Sequence, residues 1–126
     1  MNPASTPAYE KLDLVFTIVP HGLAEKVVAL SQENGVPVNL VCPGRGTATS
    51  GILEMFGLGA TDKDVVLSFV RSARSSELLK ILSGELDFDR PGSGVAFSVP
   101  FQSIAGSRAL HYFTTSSSEE EKRHGN

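Results

Sequence analysis

The hydrophobic period of this chain switches from two to about 3.6 and back, twice over, and that constrains its fold more than any other feature. Leu12, Leu14, Phe16 and Ile18 alternate with Asp13, Val15, Thr17 and Val19. This is the pattern of a strand with one face firmly buried, and Pro20 ends it. From Gly22 the period lengthens: Leu23, Val27 and Leu30, flanked by Ala24 and Val28, fall at helical spacing. Gly35 stands where a helix-ending glycine belongs. Residues 36–42 alternate again, with Pro37 near the start, where a strand tolerates it. After a long break, residues 64–70 predict a third strand. Ser72 or Ser75 then caps a second helix whose buried side carries Leu78, Leu79, Ile81 and Leu82. Residues 95–99 predict a fourth strand.

The expected order is βαββαβ, the split arrangement of an α+β, ferredoxin-like fold: an antiparallel sheet with two helices on one face. The other face also needs cover, because Val15, Val19, Val65 and Val70 are expected on it. Self-association is the simplest solution.

With 126 residues and 40% hydrophobic content, the chain suits one domain with a real core. Residues 11–114 are expected to form it, with a short edge strand at 109–114. Residues 1–10, rich in Pro, Ser and Thr, read as a flexible arm, and the charged stretch 115–126 as a disordered tail. A net charge of −3 argues against a nucleic-acid surface. Cys42 is the single cysteine, so no disulfide can close within the chain, which suits a reducing compartment. The first residues lack the basic and apolar regions of a signal peptide, and no apolar run approaches the roughly 20 residues of a membrane span. A cytoplasmic protein that is not membrane-embedded is expected.

Two glycine-rich segments carry the chemistry. Strands two and three of such a fold can be joined by two to five residues, yet about twenty intervene here, in the loop 43–62; loops of this length are usually functional or disordered. It opens with Gly44-Arg45-Gly46-Thr47, where glycines allow close backbone approach, N–H groups can nest an anion, and an arginine can meet phosphate or carboxylate. The turn before strand four, Asp89-Arg90-Pro91-Gly92-Ser93-Gly94, has the same ingredients. Neither is a Walker loop, since no Gly-Lys-Ser/Thr follows, and neither is a dinucleotide fingerprint.

A βαββαβ chain of this size, with a long loop after strand two and a Gly-x-Gly turn before strand four, resembles the PII signalling proteins over roughly residues 12–106. Gly44-Arg45-Gly46 corresponds to the foot of that family's T-loop, and Asp89–Gly94 with the following Val95-Ala96-Phe97-Ser98-Val99-Pro100 to its B-loop. The resemblance implies a homotrimer with an adenine nucleotide, ATP or ADP with or without Mg2+, in each cleft between subunits. A weak ATPase is a further option, but no general base or metal-carboxylate pair supports it, so binding without catalysis, resident metal or tightly bound cofactor is expected. Gly44, Arg45, Gly46 and Thr47 would lie at the loop base; Arg90 would lie beside Gly92, Ser93 and Gly94, which would wrap phosphates. The loop would then act on a transporter or enzyme of unidentified kind. The chain departs from the family in four respects. Val95 stands where the B-loop lysine is usual, Gly46 where a glutamine serves magnesium and 2-oxoglutarate, and residues 43–62 contain no tyrosine. The basic pair offered by a neighbouring subunit is not evident, and Arg108 is the available substitute.

The remaining residues read plainly. His21, His111 and His124 have no metal-ligand spacing with one another, and His21 reads as a capping or exposed residue. Cys42 reads as a small buried hydrophobe, with a redox role as the alternative. Asp87 and Asp89 are turn residues. Ile52, Leu53, Met55 and Phe56 form either a packed loop segment or a partner-docking patch. A trimeric metal or small-ligand binder of CutA type is the competing functional class; Arg45, Arg90 and the Gly92–Gly94 turn favour the nucleotide-sensing class, because anions need donors.

Overall fold

The structure, a computed structural model, describes residues 11–46, 62–106 and 108. The elements are β1 (Leu12–Pro20), α1 (Ala24–Glu33), β2 (Asn39–Arg45), β3 (Asp62–Arg71), α2 (Ser72–Glu85) and β4 (Val95–Pro100). The four strands form one antiparallel sheet in the order β2-β3-β1-β4, and both helices cover the same face. This is the α+β, ferredoxin-like arrangement that the periodicity predicts. The expected arm, tail and edge strand at 109–114 lie outside the described residues.

Val15 and Val19 of β1, Val66 and Val70 of β3, Ala24 and Val27 of α1, and Leu78, Leu82 and Leu86 around α2 form the core, closed by Val36. Side chains of this size each contribute roughly 1.5–3 kcal/mol when fully buried. The helices follow their stripes: Val27 and Ser31 lie inward on α1, and Ser75, Leu78 and Leu82 on α2. Leu23, expected on the buried stripe, precedes the first helical turn and is exposed.

The faces of β1 are reversed from expectation. Val15 and Val19, expected on the open face together with Val70, lie beneath the helices, as Val70 does; only Val65 lies on the open side. Leu14, Phe16 and Ile18 are the half-buried residues of β1's open face. Both faces of this strand are apolar, so alternation alone does not choose between them. The inward face is marked instead by acids that reach helix starts. Ser72 Oγ donates to Asp13 Oδ1 at 2.6 Å where α2 begins, and Asp64 serves the start of α1. Neither Ser72 nor Ser75 caps α2: Ser75 Oγ donates to the Ser72 carbonyl, and the N-cap position is Arg71.

α1 ends as its glycine predicts. Gly35 adopts φ +80°, its N–H donates to the Gln32 carbonyl at 3.1 Å, and the Val36 N–H donates to Ser31 at 3.0 Å. These two bonds define a Schellman ending, whose next residue often makes an apolar contact; here Val36 drops into the core. β2 therefore starts at Asn39, three residues later than expected, and runs through Arg45. Pro43 and Pro100 sit on the two edge strands, β2 and β4, where a missing N–H does least harm.

Candidate functional site

Strand register brings the two glycine segments to one end of the sheet. Arg45 pairs with Asp62, and Gly44 and Pro20 both pair with Lys63. Val95 pairs with Ile18, two residues before the end of β1. The end of β2 and the start of β4 thus share that end, but on opposite edges, separated by three strand spacings of about 4.8 Å, or roughly 14 Å. Among the described residues, neither of the two grooves below is lined by both Arg45 and the Gly92–Gly94 turn.

Gly44 and Arg45, expected in the loop base, are the last residues of β2, and Gly46 follows the strand. A Cβ at Gly44 would come within 2.9 Å of Val65 Cγ2, so close cross-strand packing accounts for this glycine. Arg45 is exposed. Thr47 and the patch Ile52, Leu53, Met55 and Phe56 lie outside the described residues.

The second segment is a tightly built turn. The Arg90 N–H donates to the Asp87 carbonyl at 3.0 Å, the Ser93 N–H to the Arg90 carbonyl at 3.2 Å, and the Ser93 hydroxyl to that same carbonyl at 2.6 Å. The Arg90 guanidinium lies 3.7 Å from the Asp87 carboxylate. Gly92 and Gly94 have φ of +79° and +133°. A Cβ at Gly94 would meet the Ile18 carbonyl at 2.7 Å, so no other residue fits there without movement of the β1 backbone. The N–H groups of Gly92 and Gly94 have no partner among the described residues. Two donors are therefore left over at this turn, whereas its serine hydroxyl is engaged within it and Arg90 lies exposed beside Asp87.

Among the described residues, open grooves flank both sheet edges. One, of about 390 Å³, runs between α2 and β4 and is lined by Leu79, Lys80, Ser83, Phe88, Gly94, Val95 and Ala96. The other, of about 500 Å³, runs between α1 and β2; Val28, Ala29 and Val41 give it apolar walls, and Asp64 and Gln32 add polar groups.

Asp64 joins the second groove to the start of α1. Its Oδ2 accepts the N–H groups of Gly22 at 2.8 Å and Ala24 at 3.2 Å, and its Oδ1 lies 2.9 Å from His21 Nδ1. The Gly22 N–H is the main reason its carboxyl sits below the ordinary carboxylate range; burial opposes the shift, and His21 and the Ala24 N–H reinforce it. His21 thus has a carboxylate partner, an arrangement that the local sequence gave no sign of, since Asp64 lies 43 residues away. Among the described residues, no group of three His, Cys, Asp or Glu side chains is placed to hold a metal ion.

No family model matches the chain, and no curated protein matches it. Solved structures do. CutA, a periplasmic divalent cation tolerance protein from Archaeoglobus fulgidus, aligns with a TM-score of 0.63 at 12% identity, over 81% of this chain and 94% of that one. A nitrogen regulatory PII-like protein from Thiomonas intermedia, bound to ADP, AMP and bicarbonate, aligns with a TM-score of 0.59 at 18% identity, over 76% of this chain and 96% of that one. A Bacillus cereus protein related to NIF3 aligns with a TM-score of 0.57 at 14% identity, over 75% of this chain; this chain spans only 26% of that protein. The likeness is one of fold, and the chain has the fold shared by the PII-like and CutA structures.

Proposed function

We propose that this chain is a PII-like signalling protein that binds an adenine nucleotide between subunits and acts on a partner protein through the loop after β2. The placement of the two glycine segments carries this reading: they share one end of the sheet but occupy opposite edges. The β2 edge of one copy set beside the β4 edge of the next would complete a site from both. A head-to-tail contact of this kind closes into a ring, and a trimer is the smallest such ring beyond a pair.

The open face of the sheet supports the assembly. It carries Leu14, Phe16 and Ile18, Val65, Leu67 and Phe69, with Leu40 on β2 and Phe97 and Val99 on β4. Leu40, Phe97 and Val99 are 50%, 42% and 45% exposed in the single chain. An apolar face of this breadth is characteristic of an interface.

ATP or ADP is the expected ligand, as the ADP and AMP held by the Thiomonas protein suggest. Gly92 and Gly94 would offer N–H donors from one subunit, and Arg45 a guanidinium from its neighbour. Binding would favour one conformation of the loop over others by its differential affinity, and a transporter or enzyme would read the result. The site is proposed for binding and regulation, not catalysis, in a cytoplasmic protein.

Isothermal titration with ATP, ADP, AMP and cyclic AMP, with and without magnesium, tests the reading. Saturable binding near one site per chain is expected. Absence of binding by all four nucleotides would overturn it. The fold likeness to CutA favours a second reading, a trimeric binder of metal or another small ligand; titration with divalent cations alone distinguishes the two.

A further inference from the structure

We propose that Lys80, with Ser83 beside it, supplies the phosphate contacts that the turn before β4 lacks, so that the groove between α2 and β4 is the phosphate-binding half of the ligand site. This rests on the nucleotide reading above and names residues outside either glycine segment. Val95, the residue that follows the turn, is apolar and offers an anion no donor side chain. Within the turn, the Arg90 guanidinium is drawn toward Asp87 and the Ser93 hydroxyl is spent on a carbonyl. The turn therefore offers two N–H groups, and its one cationic side chain, Arg90, is exposed with a carboxylate 3.7 Å away.

Lys80 fills that gap by position. It lines the same groove as Gly94 and Val95, and it is the one cationic residue among those lining it. Ser83 follows three positions later on α2, so both side chains leave the helix on one face. Arg74 is paired with Glu77, but Lys80 has no ion pair among the described residues. Leu79, Phe88, Val95 and Ala96 make the remaining surface apolar. A cation and a hydroxyl set among apolar side chains suit a ligand with an anionic group and a flat apolar body.

The test titrates wild type, Lys80→Ala and Lys80→Arg with ATP, with adenosine and with inorganic tripolyphosphate. Loss of a charge-assisted contact predicts roughly tenfold or greater weakening of ATP and tripolyphosphate binding in Lys80→Ala. Adenosine binding should be unchanged, and Lys80→Arg should restore most of the loss. Lys80 is exposed, so neither substitution threatens folding. Equal ATP affinity in wild type and Lys80→Ala would overturn this inference and leave the nucleotide reading standing. Tripolyphosphate binding that depends on Lys80, without ATP binding, would uphold the inference and overturn the nucleotide reading. Wild-type protein that binds none of the three would overturn both.

Discussion

The Asp64 carboxylate on β3 accepts the N–H of Gly22 at 2.8 Å, so a residue 42 positions later in the chain caps the entrance to α1. Leu23, at the N-cap position of α1, supplies no side-chain cap of its own. The first helix and the third strand are thereby fixed to each other through one carboxylate.

Replacing Asp64 by alanine should cost about 1–2 kcal/mol, the usual loss for a removed cap. Asp64→Asn keeps an acceptor and should cost less. The pH dependence separates charge from geometry. The folded carboxyl sits below its ordinary value of 3.8, chiefly because of the Gly22 N–H. Its contribution is therefore complete above the unfolded carboxylate range near about 4 and is lost as pH falls through the folded value. In urea denaturation at a series of pH values, the wild-type advantage over Asp64→Asn should be full at pH 7 and shrink below about pH 4. A gap that stays constant down to the acid limit of folding would contradict the assignment.

The two glycines of the turn before β4 should behave differently on substitution. Gly92 faces open space, so Gly92→Ala meets only the left-handed backbone penalty of about 1–2 kcal/mol. At Gly94 the new methyl group also meets a backbone carbonyl of β1 at 2.7 Å. Gly94→Ala should therefore be the more destabilising of the two, by at least about 1 kcal/mol on the scale of stored backbone strain. Urea midpoints rank them, and equal midpoints would mean that the β1–β4 pairing yields easily at that edge. Gly92 is consequently the cleaner site for testing ligand contacts.

The open face gives a prediction about assembly. Leu67 lies on β3, paired with Phe16 on one side and Leu40 on the other, and Phe16 stacks on Phe97 with ring centroids 5.0 Å apart. Leu67→Glu should convert the assembly to monomer in light scattering while far-UV circular dichroism stays native. Leu82→Ala, in the core on the opposite side, should cost about 2–5 kcal/mol without changing the assembled mass. Unchanged mass for Leu67→Glu would remove this face from the interface.

The element order and the end of α1 were legible because local rules set them. Gly35 with Val36 is a two-residue signal, and periods of two and 3.6 are read within a dozen residues. Which face of β1 turns inward was not legible. Val15 and Phe16 are both apolar, and the choice follows from acids whose partners lie far along the chain. Asp13 meets the start of α2, 59 residues on, and Asp64 meets the start of α1. The position of Lys80 was hidden for a related reason: only the packing of α2 against β4 sets it beside Gly94. The separation of Arg45 from Gly92 likewise follows from strand order, which puts β2 and β4 at opposite edges.

That separation permits a test of where the site is assembled. If each cleft takes Arg45 from one chain and Gly92 from its neighbour, Arg45→Ala and Gly92→Val should each impair nucleotide binding in uniform assemblies. Co-expression of the two variants should partly restore it. An Arg45-intact chain would then stand beside a Gly92-intact chain at some interfaces, although no single chain carries both. With random mixing in equal amounts, about a quarter of the clefts in a head-to-tail ring combine the two intact halves. Titration of the mixed assembly should show that fraction of sites at wild-type affinity. A site formed within one chain predicts none, because every chain in the mixture is defective. The roughly 14 Å between the two edges, set by three strand spacings, favours the first outcome.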